Sequence, residues 1–425
     1  MYMVLLCLSL ITALLGQSII SQAWLNRYAD EDLSGIPQIA LAFQDKHYYP
    51  LRRTVQALLR SPSRIEWART NNKTQKAVPE AIEFPCKTNG TRSMTTPTSV
   101  HQIRPGDIDI IGSIGDSLTA GYGTLSRNLP EVLIEERGLS WSGGGEGTWR
   151  EYLTLPNIIK VFNPDLFGYS YGASLAEQRA SQFNVAEGAA VSQDIFYMTR
   201  ELVKRIKNDK RVKLNEHWKL ITIWIGANTF CTQICYEDHN KLTQLYYEKL
   251  HRALSYIKNN LPRTIVNFVL DFNVQILMSM SGRPEVCKIN NILVCPCVFC
   301  TQFKQQIPQM MKTLLDFHKF EKNIVEMEEF KTQDDFTVII QPFAEHLSFP
   351  LNRLNKTDLT FFAADCFHFS QKGYATFANA LWNNMMEPVG HKSTNWTNLF
   401  DRFLCPTADS PFIKTWKNSA TKDDV

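Results

Sequence analysis

Ile108-Asp109-Ile110-Ile111-Gly112-Ser113-Ile114 runs straight into Gly115-Asp116-Ser117-Leu118, and the fold follows from how this stretch is read. Apolar, β-branched residues fall on both faces of the first segment, so it reads as a strand buried on both sides. The glycine then ends it. Further runs of the same kind lie at 166–171, 220–225, 264–270 and 336–340, and amphipathic helical stretches separate them near 149–162, 192–207, 242–260, 303–330 and 371–386. Strands alternating with helices in this way specify a mainly parallel sheet covered on both faces, a three-layer α/β/α sandwich. In such sheets ligands bind at the carboxyl ends of the strands.

Those ends carry the polar residues of interest. Ser117 stands where a helix is about to begin, near backbone N–H groups and the positive end of a helix dipole. Taken alone it reads more commonly as an N-cap serine followed by a turn. Asn228, in Ile225-Gly226-Ala227-Asn228, could donate its amide to an oxyanion or close the strand in an Asx turn. Gly188, in Asn184-Val185-Ala186-Glu187-Gly188-Ala189, would let a ligand approach the backbone. Asp365 and His368, in Asp365-Cys366-Phe367-His368, are spaced so that the carboxylate can orient the imidazole. Each alone has an ordinary structural reading. Together they make a serine, a glycine, an asparagine and a DxxH pair in that order, with a helix after the histidine.

Composition sets the limits around this core. The chain has 425 residues, 44% of them hydrophobic and 20% charged, an ordinary globular balance that excludes disorder throughout and fibrous repeats. Lys and Arg number 45 against 42 Asp and Glu, a formal +3 with no basic block, so nucleic acid is not an expected partner. Residues 1–18 read as a signal peptide, with an apolar stretch from Val4 to Leu15 shorter than a membrane span; an uncleaved anchor is the rival reading. No transmembrane anchor is expected at the hydrophilic C-terminus. The expected organisation is a signal peptide (1–18), an N-terminal helical and extended segment with a linker (19–105), the catalytic domain (106–390) and a tail (391–425).

Within 19–60, Ile36, Ile39, Ala40 and Phe43, and again Leu51, Val55, Leu58 and Leu59, fall at helical spacing. The polar, proline-bearing stretch from about 61 to 98 reads as a linker or an extended wrap. Outside the signal segment lie nine cysteines: Cys86, Cys231, Cys235, Cys287, Cys295, Cys297, Cys300, Cys366 and Cys405. An oxidising compartment would pair most of them and leave one over. Cys231 and Cys235 could close a small loop, and Cys287–Cys300 looks like a pinned excursion. Zinc is the rival for that cluster, but no partner pair lies at finger spacing, so no metal or other cofactor is expected. Sequons at Asn72, Asn89, Asn355 and Asn395 fit a secretory route to the extracellular space.

With the four blocks assembled, the chain resembles the GDSL, or SGNH, hydrolase superfamily. Longer strings narrow the resemblance to its animal phospholipase B branch: Arg137-Gly138-Leu139-Ser140-Trp141-Ser142-Gly143-Gly144, Thr154-Leu155-Pro156-Asn157-Ile158, Asp358-Leu359-Thr360-Phe361-Phe362, and Ala380-Leu381-Trp382-Asn383-Asn384-Met385-Met386-Glu387-Pro388. They cover about residues 84–412. The resemblance implies a flavodoxin-like sandwich and a metal-independent esterase acting on glycerophospholipids and lysophospholipids, in transient contact with a lipid interface. It implies Ser117 as nucleophile, His368 as base and Asp365 as its orienting acid, with Ser117, Gly188 and Asn228 forming the oxyanion hole. Two departures stand out. Thr229 occupies the place of the usual aspartate after the asparagine, and Asn184 precedes the glycine by four residues instead of five. A related esterase on other acyl esters and a non-catalytic lipid-binding relative are the alternatives.

Overall fold

The structure, a computed structural model, describes residues 49–419. The expected signal peptide and the helical pattern around Ile36–Phe43 lie outside the described residues. Two compact units divide the chain, Met1–Leu58 and Leu59–Val425. Helix α1 (Tyr49–Leu59) contains the spacing of Leu51, Val55, Leu58 and Leu59.

In the second unit the elements follow in order: α2 (Ser63–Thr70), β1 (Ile108–Gly115), α3 (Ser117–Ala120), α4 (Leu155–Phe162), α5 (Ile195–Asn208), β2 (Trp218–Trp224), α6 (Ala227–Thr232), α7 (His239–Asn260) and β3 (Thr264–Val269). Then come α8 (Ile276–Ser279), α9 (Glu285–Val294), α10 (Pro296–Phe299), α11 (Ile307–Val325), α12 (Glu328–Lys331), β4 (Phe336–Gln341), α13 (Gln371–Met386) and α14 (Trp416–Ser419). The strands form one parallel sheet in the order β1-β2-β3-β4. Outside β1, Phe167 and Asn184 make parallel bridges to Ile110 and Ser113. Counting that edge as a strand, the order is 2-1-3-4-5, the flavodoxin-like winding.

Register shows why the strands are apolar on both faces. Gly112 pairs with Ile221 and packs against Leu202 of α5, so this face meets the layer of α5 and α7. Trp224, three residues beyond Ile221 and therefore on the opposite face, lies 5.1 Å from Phe377 of α13. Its face also holds Asn267, whose amide reaches Met385 of α13. Both layers are covered, and nearly every strand residue is buried. Trp141, Trp224, Phe343 and Phe377 meet under the carboxyl ends of the strands with centroids 5.1–6.5 Å apart.

Three expectations need correction. The run at 166–171 forms bridges only, because the backbone kinks at Gly168 (φ 97°) after two hydrogen bonds to β1. The polar stretch 61–98 contains helix α2, which no apolar stripe announces because it buries Arg64 and Ala68. Arg64 is 2% exposed and bonds Glu136 at 2.6 Å. Cys231 and Cys235 do not close a loop on each other. They pair with Cys295 and Cys297, two parallel staples from the end of α6 to α10. Cys86–Cys405 ties the wrap to the C-terminal segment, Cys287–Cys366 closes the fourth bridge, and Cys300 is the one free cysteine among the described residues. Cys287, Cys295 and Cys297 are thereby spent as thiolate ligands.

Candidate active site

Ser117 owes its position to a tight turn. Asp116 caps α3 by accepting from the Leu118 N–H at 2.9 Å, and Gly121 (φ 80°) ends the helix one turn later. At Gly115 a Cβ would come 2.4 Å from Thr119 Oγ1 and 2.6 Å from the Trp224 carbonyl, so only glycine lets the strand turn there. The serine leaves the end of β1 with its hydroxyl 2.8 Å from His368 Nε2.

The histidine comes from the loop between β4 and α13. Phe362 and Phe369 bridge its stem, and the turn between them carries Asp365 and His368, with Cys366 in the left-handed region (φ 53°). Asp365 Oδ2 lies 2.6 Å from His368 Nδ1, and its Oδ1 accepts from the N–H groups of Phe367 (3.1 Å) and His368 (3.0 Å). An ionised carboxylate only accepts, so Nδ1 carries the proton and Nε2 is left to accept from Ser117. Burial pushes Asp365 up. The charge and hydrogen bond of His368, with the two backbone donors, outweigh it and hold the carboxyl below the usual range. Ser117, Asp365 and His368 are all buried.

The structure also brings Gly188 and Asn228 to this end of the sheet. Asn228, at the start of α6, donates Nδ2 to the Ala190 carbonyl at 2.9 Å, using one of its two N–H groups. Thr229, fully buried, accepts from Ser192 N at 2.9 Å and lies 2.8 Å from Ser192 Oγ. The residue that departs from the usual aspartate therefore stitches the asparagine's helix to the glycine's loop. Asn184 does comparable work: Nδ2 donates to the Thr119 carbonyl on α3 at 2.9 Å, tying the glycine segment to the serine helix. At Gly188 a Cβ would come 2.0 Å from Tyr122 Oη.

Several residues of the site carried no readable signal. Tyr122 stacks on the His368 ring at 5.6 Å. Arg137, fully buried, donates to the carbonyls of Ser174, Asn184 and Ala186 and pairs with Glu135, so one guanidinium shapes the path to Gly188. Its string was legible; its role was not, because none of its partners is near it in sequence except Glu135. Lys73 clamps the loop of His368 by donating to the Leu359 (3.1 Å) and Phe362 (2.6 Å) carbonyls, and burial lowers its pKa to about 8. Beneath Ser117, burial raises Asp116 to about 6 and holds Asp271 well above the usual carboxylate range, with Glu321 and Asp116 adding to the shift.

A parallel sandwich with a buried serine, histidine and aspartate linked in series at the carboxyl edge of its sheet has the build of a serine hydrolase. The chain belongs to the GDSL-like Lipase/Acylhydrolase family, whose model matches residues 111–381. It is similar to mouse (Mus musculus) "Phospholipase B1, membrane-associated", 38% identical over 354 residues that make up 81% of this chain and 24% of that protein. The human (Homo sapiens) protein of the same name is 38% identical over 349 residues, 80% of this chain and 23% of its own length. The chain thus spans about a quarter of the curated relatives it matches. Among solved structures, a phospholipase A1 from Streptomyces albidoflavus NA297 aligns with 63% of this chain and 95% of its own. At 11% identity and a TM-score of 0.28, that likeness carries no structural argument.

Proposed function

We propose that this chain is a secreted serine esterase of phospholipase B type, hydrolysing acyl esters of glycerophospholipids and lysophospholipids through an acyl-enzyme. The observation that carries the reading is the unbroken series from Ser117 Oγ to His368 Nε2 (2.8 Å) and from His368 Nδ1 to Asp365 Oδ2 (2.6 Å). In the mechanism we assign, Ser117 Oγ attacks the ester carbonyl carbon while its proton passes to His368 Nε2. The carbonyl oxygen becomes an oxyanion, and its donors are the N–H groups of Ser117 and Gly188 with the second N–H of Asn228. Collapse breaks the acyl C–O bond, and the leaving alkoxide takes the proton from His368. Water then repeats the sequence on the acyl-Ser117 ester, with His368 accepting its proton. Asp365 stays ionised throughout and holds the imidazolium. The catalytic domain is proposed as residues 106–390.

Secretion is part of the same reading. It is supported by four disulfides and by the absence, among the described residues, of a helix long and apolar enough to cross a membrane. Asn72, Asn89 and Asn355 are exposed, as glycan attachment requires. Asn395 donates Nδ2 to Ser348 Oγ at 2.8 Å and would have to release it first. The test of function is product analysis on phosphatidylcholines and lysophosphatidylcholines of defined chains, with Ser117→Ala beside the parent. Free fatty acid from the parent and none from the variant supports the reading. Equal turnover by both proteins sinks it.

A further inference from the structure

Helix α9 is amphipathic the wrong way round for a free surface. Cys287 and Asn291 point inward and are buried. Its outer face is a stripe of Val286, Ile289 and Ile292, at 47%, 56% and 45% exposure. At three-residue spacing these fall on one side of the helix, opposite the buried pair. Scattered apolar side chains on a surface mean little, but a contiguous helical stripe marks a docking face.

What the helix is fastened to says what the face serves. Cys287 is bonded to Cys366, the residue after Asp365 and two before the triad's His368. From the next residue, Cys295, and from Cys297, two more disulfides run to Cys231 and Cys235, just past Asn228. Asn290 Nδ2 reaches the Asp365 carbonyl at 3.5 Å. The excursion is therefore stapled to the loop of the base and to the helix of the assigned oxyanion donor. Charge adds a second constraint. Between Glu285 and Asp316 the chain contains Lys288, Lys304 and Lys312 and not one carboxylate; all three lysines are exposed, and Lys288 is paired with Glu285 at 2.5 Å.

We propose that α9 is the lipid-docking element of this protein. Its Val286, Ile289 and Ile292 enter the boundary between headgroups and acyl chains, while Lys304 and Lys312 face lipid phosphates. The inference rests on the lipid-ester reading given above and adds the surface through which the bilayer is met. A protein partner is disfavoured because the face is a narrow apolar stripe in a segment, 286–315, that carries lysines and no carboxylate of its own, which suits a phosphate-bearing apolar layer. The neighbouring hairpin at 351–357 also exposes Leu351 and Leu354. It carries the sequon at Asn355, and a glycan there belongs in water, so this hairpin is assigned no lipid contact.

The experiment uses the full chain and vesicles of phosphatidylcholine with a minority of phosphatidylserine. In a Ser117→Ala background, the triple variant Val286→Ser/Ile289→Ser/Ile292→Ser should lose vesicle co-sedimentation at least about tenfold. In the active background it should lose vesicle hydrolysis to the same degree while keeping its rate on a monomeric short-chain ester within about twofold. Unchanged co-sedimentation overturns the proposal. So does an equal loss on the monomeric ester, which would make α9 a prop for the Cys366 loop, and so does a change in oligomeric mass with vesicle binding intact. Because co-sedimentation requires no turnover, a parent that binds vesicles but hydrolyses no ester would sink the esterase reading and leave docking standing.

Discussion

The turn that carries Ser117 and the loop that carries His368 meet at 2.8 Å but are built by opposite means. The serine turn is local: glycine, capping aspartate and one helical turn lie within Gly115–Gly121, and the cap and helix hydrogen bonds are short-range, while β1 itself is held by its pairing with β2. The base loop is held from afar. Cys287 grips it from 79 residues away, Lys73 donates to carbonyls 286 and 289 residues on, and Ser126 Oγ accepts from the Ala364 N–H at 3.0 Å. A residue set by local rules tolerates change elsewhere in the chain. One set by long-range ties depends on each tie.

The largest expected effect removes the shared atom. Ser117→Ala should fold as the parent does and lose about three or more decades of kcat on any ester the parent cleaves; single-turnover kinetics with matched thermal midpoints measures this. Near-parent turnover would reduce Ser117 to a helix cap. Next comes Asn228, the proposed third oxyanion donor. Asn228→Ala should lower kcat by about two to three decades with KM little changed, since an oxyanion exists only in the transition state. It should still react slowly with a serine-directed phosphonate, and a parental kcat would mean that the third donor lies elsewhere.

Breaking a tie tests the contrast itself. Cys287→Ala/Cys366→Ala should cost about 10- to 100-fold in kcat through misplacement of His368. Cys86→Ala/Cys405→Ala, remote from the triad, should leave kcat near the parent value. Chain-entropy arithmetic gives upper limits of about 4.5 kcal/mol for the first pair (separation 79) and about 6 kcal/mol for the second (separation 319). Denaturant midpoints and kcat should therefore rank the two pairs in opposite orders. Equal kcat losses would erase the distinction.

The smallest effect is a slope. Burial raises Asp116 from 3.8 to about 6, so the folded state holds its proton through a range in which the unfolded chain releases it. Its contribution to stability is full below about pH 4, falls as pH rises towards 6 and is lost above that, by on the order of 3 kcal/mol. Asp116→Asn should flatten this part of the stability curve while keeping the cap. Urea unfolding at pH 4.5 and 7.5 gives the difference, and identical slopes in parent and variant would contradict it.

Much of the fold was legible because it is written in short-range patterns. Helix α13 has the bounds its periodicity suggests, and four of five apolar runs are strands. The fifth failed at a kink that its composition does not announce. Helix α2 was hidden because its inner face is an arginine whose acids lie in the 131–136 segment. The serine and asparagine blocks were readable because each sits at a strand's end, where residue choice is narrow; the glycine and DxxH blocks lie in loops and were readable only through their order with those two. Tyr122, Arg137 and Lys73 were not, because a stacked ring, a guanidinium threaded through carbonyls or a lysine on a distant loop means nothing until the chain has closed.

The sequence by itself determined a parallel α/β/α sandwich and the turn that presents Ser117, since strand patterning and capping act over a few residues. Only the tertiary structure decided that His368 reaches Ser117, that Thr229 binds Ser192, and that Cys287, Cys295 and Cys297 fasten the amphipathic helix α9 and the segment after it to both sides of the site. Those facts are distances between segments 37 to 251 residues apart. No local preference encodes such distances; the packing of the sheet and its two helical layers creates them.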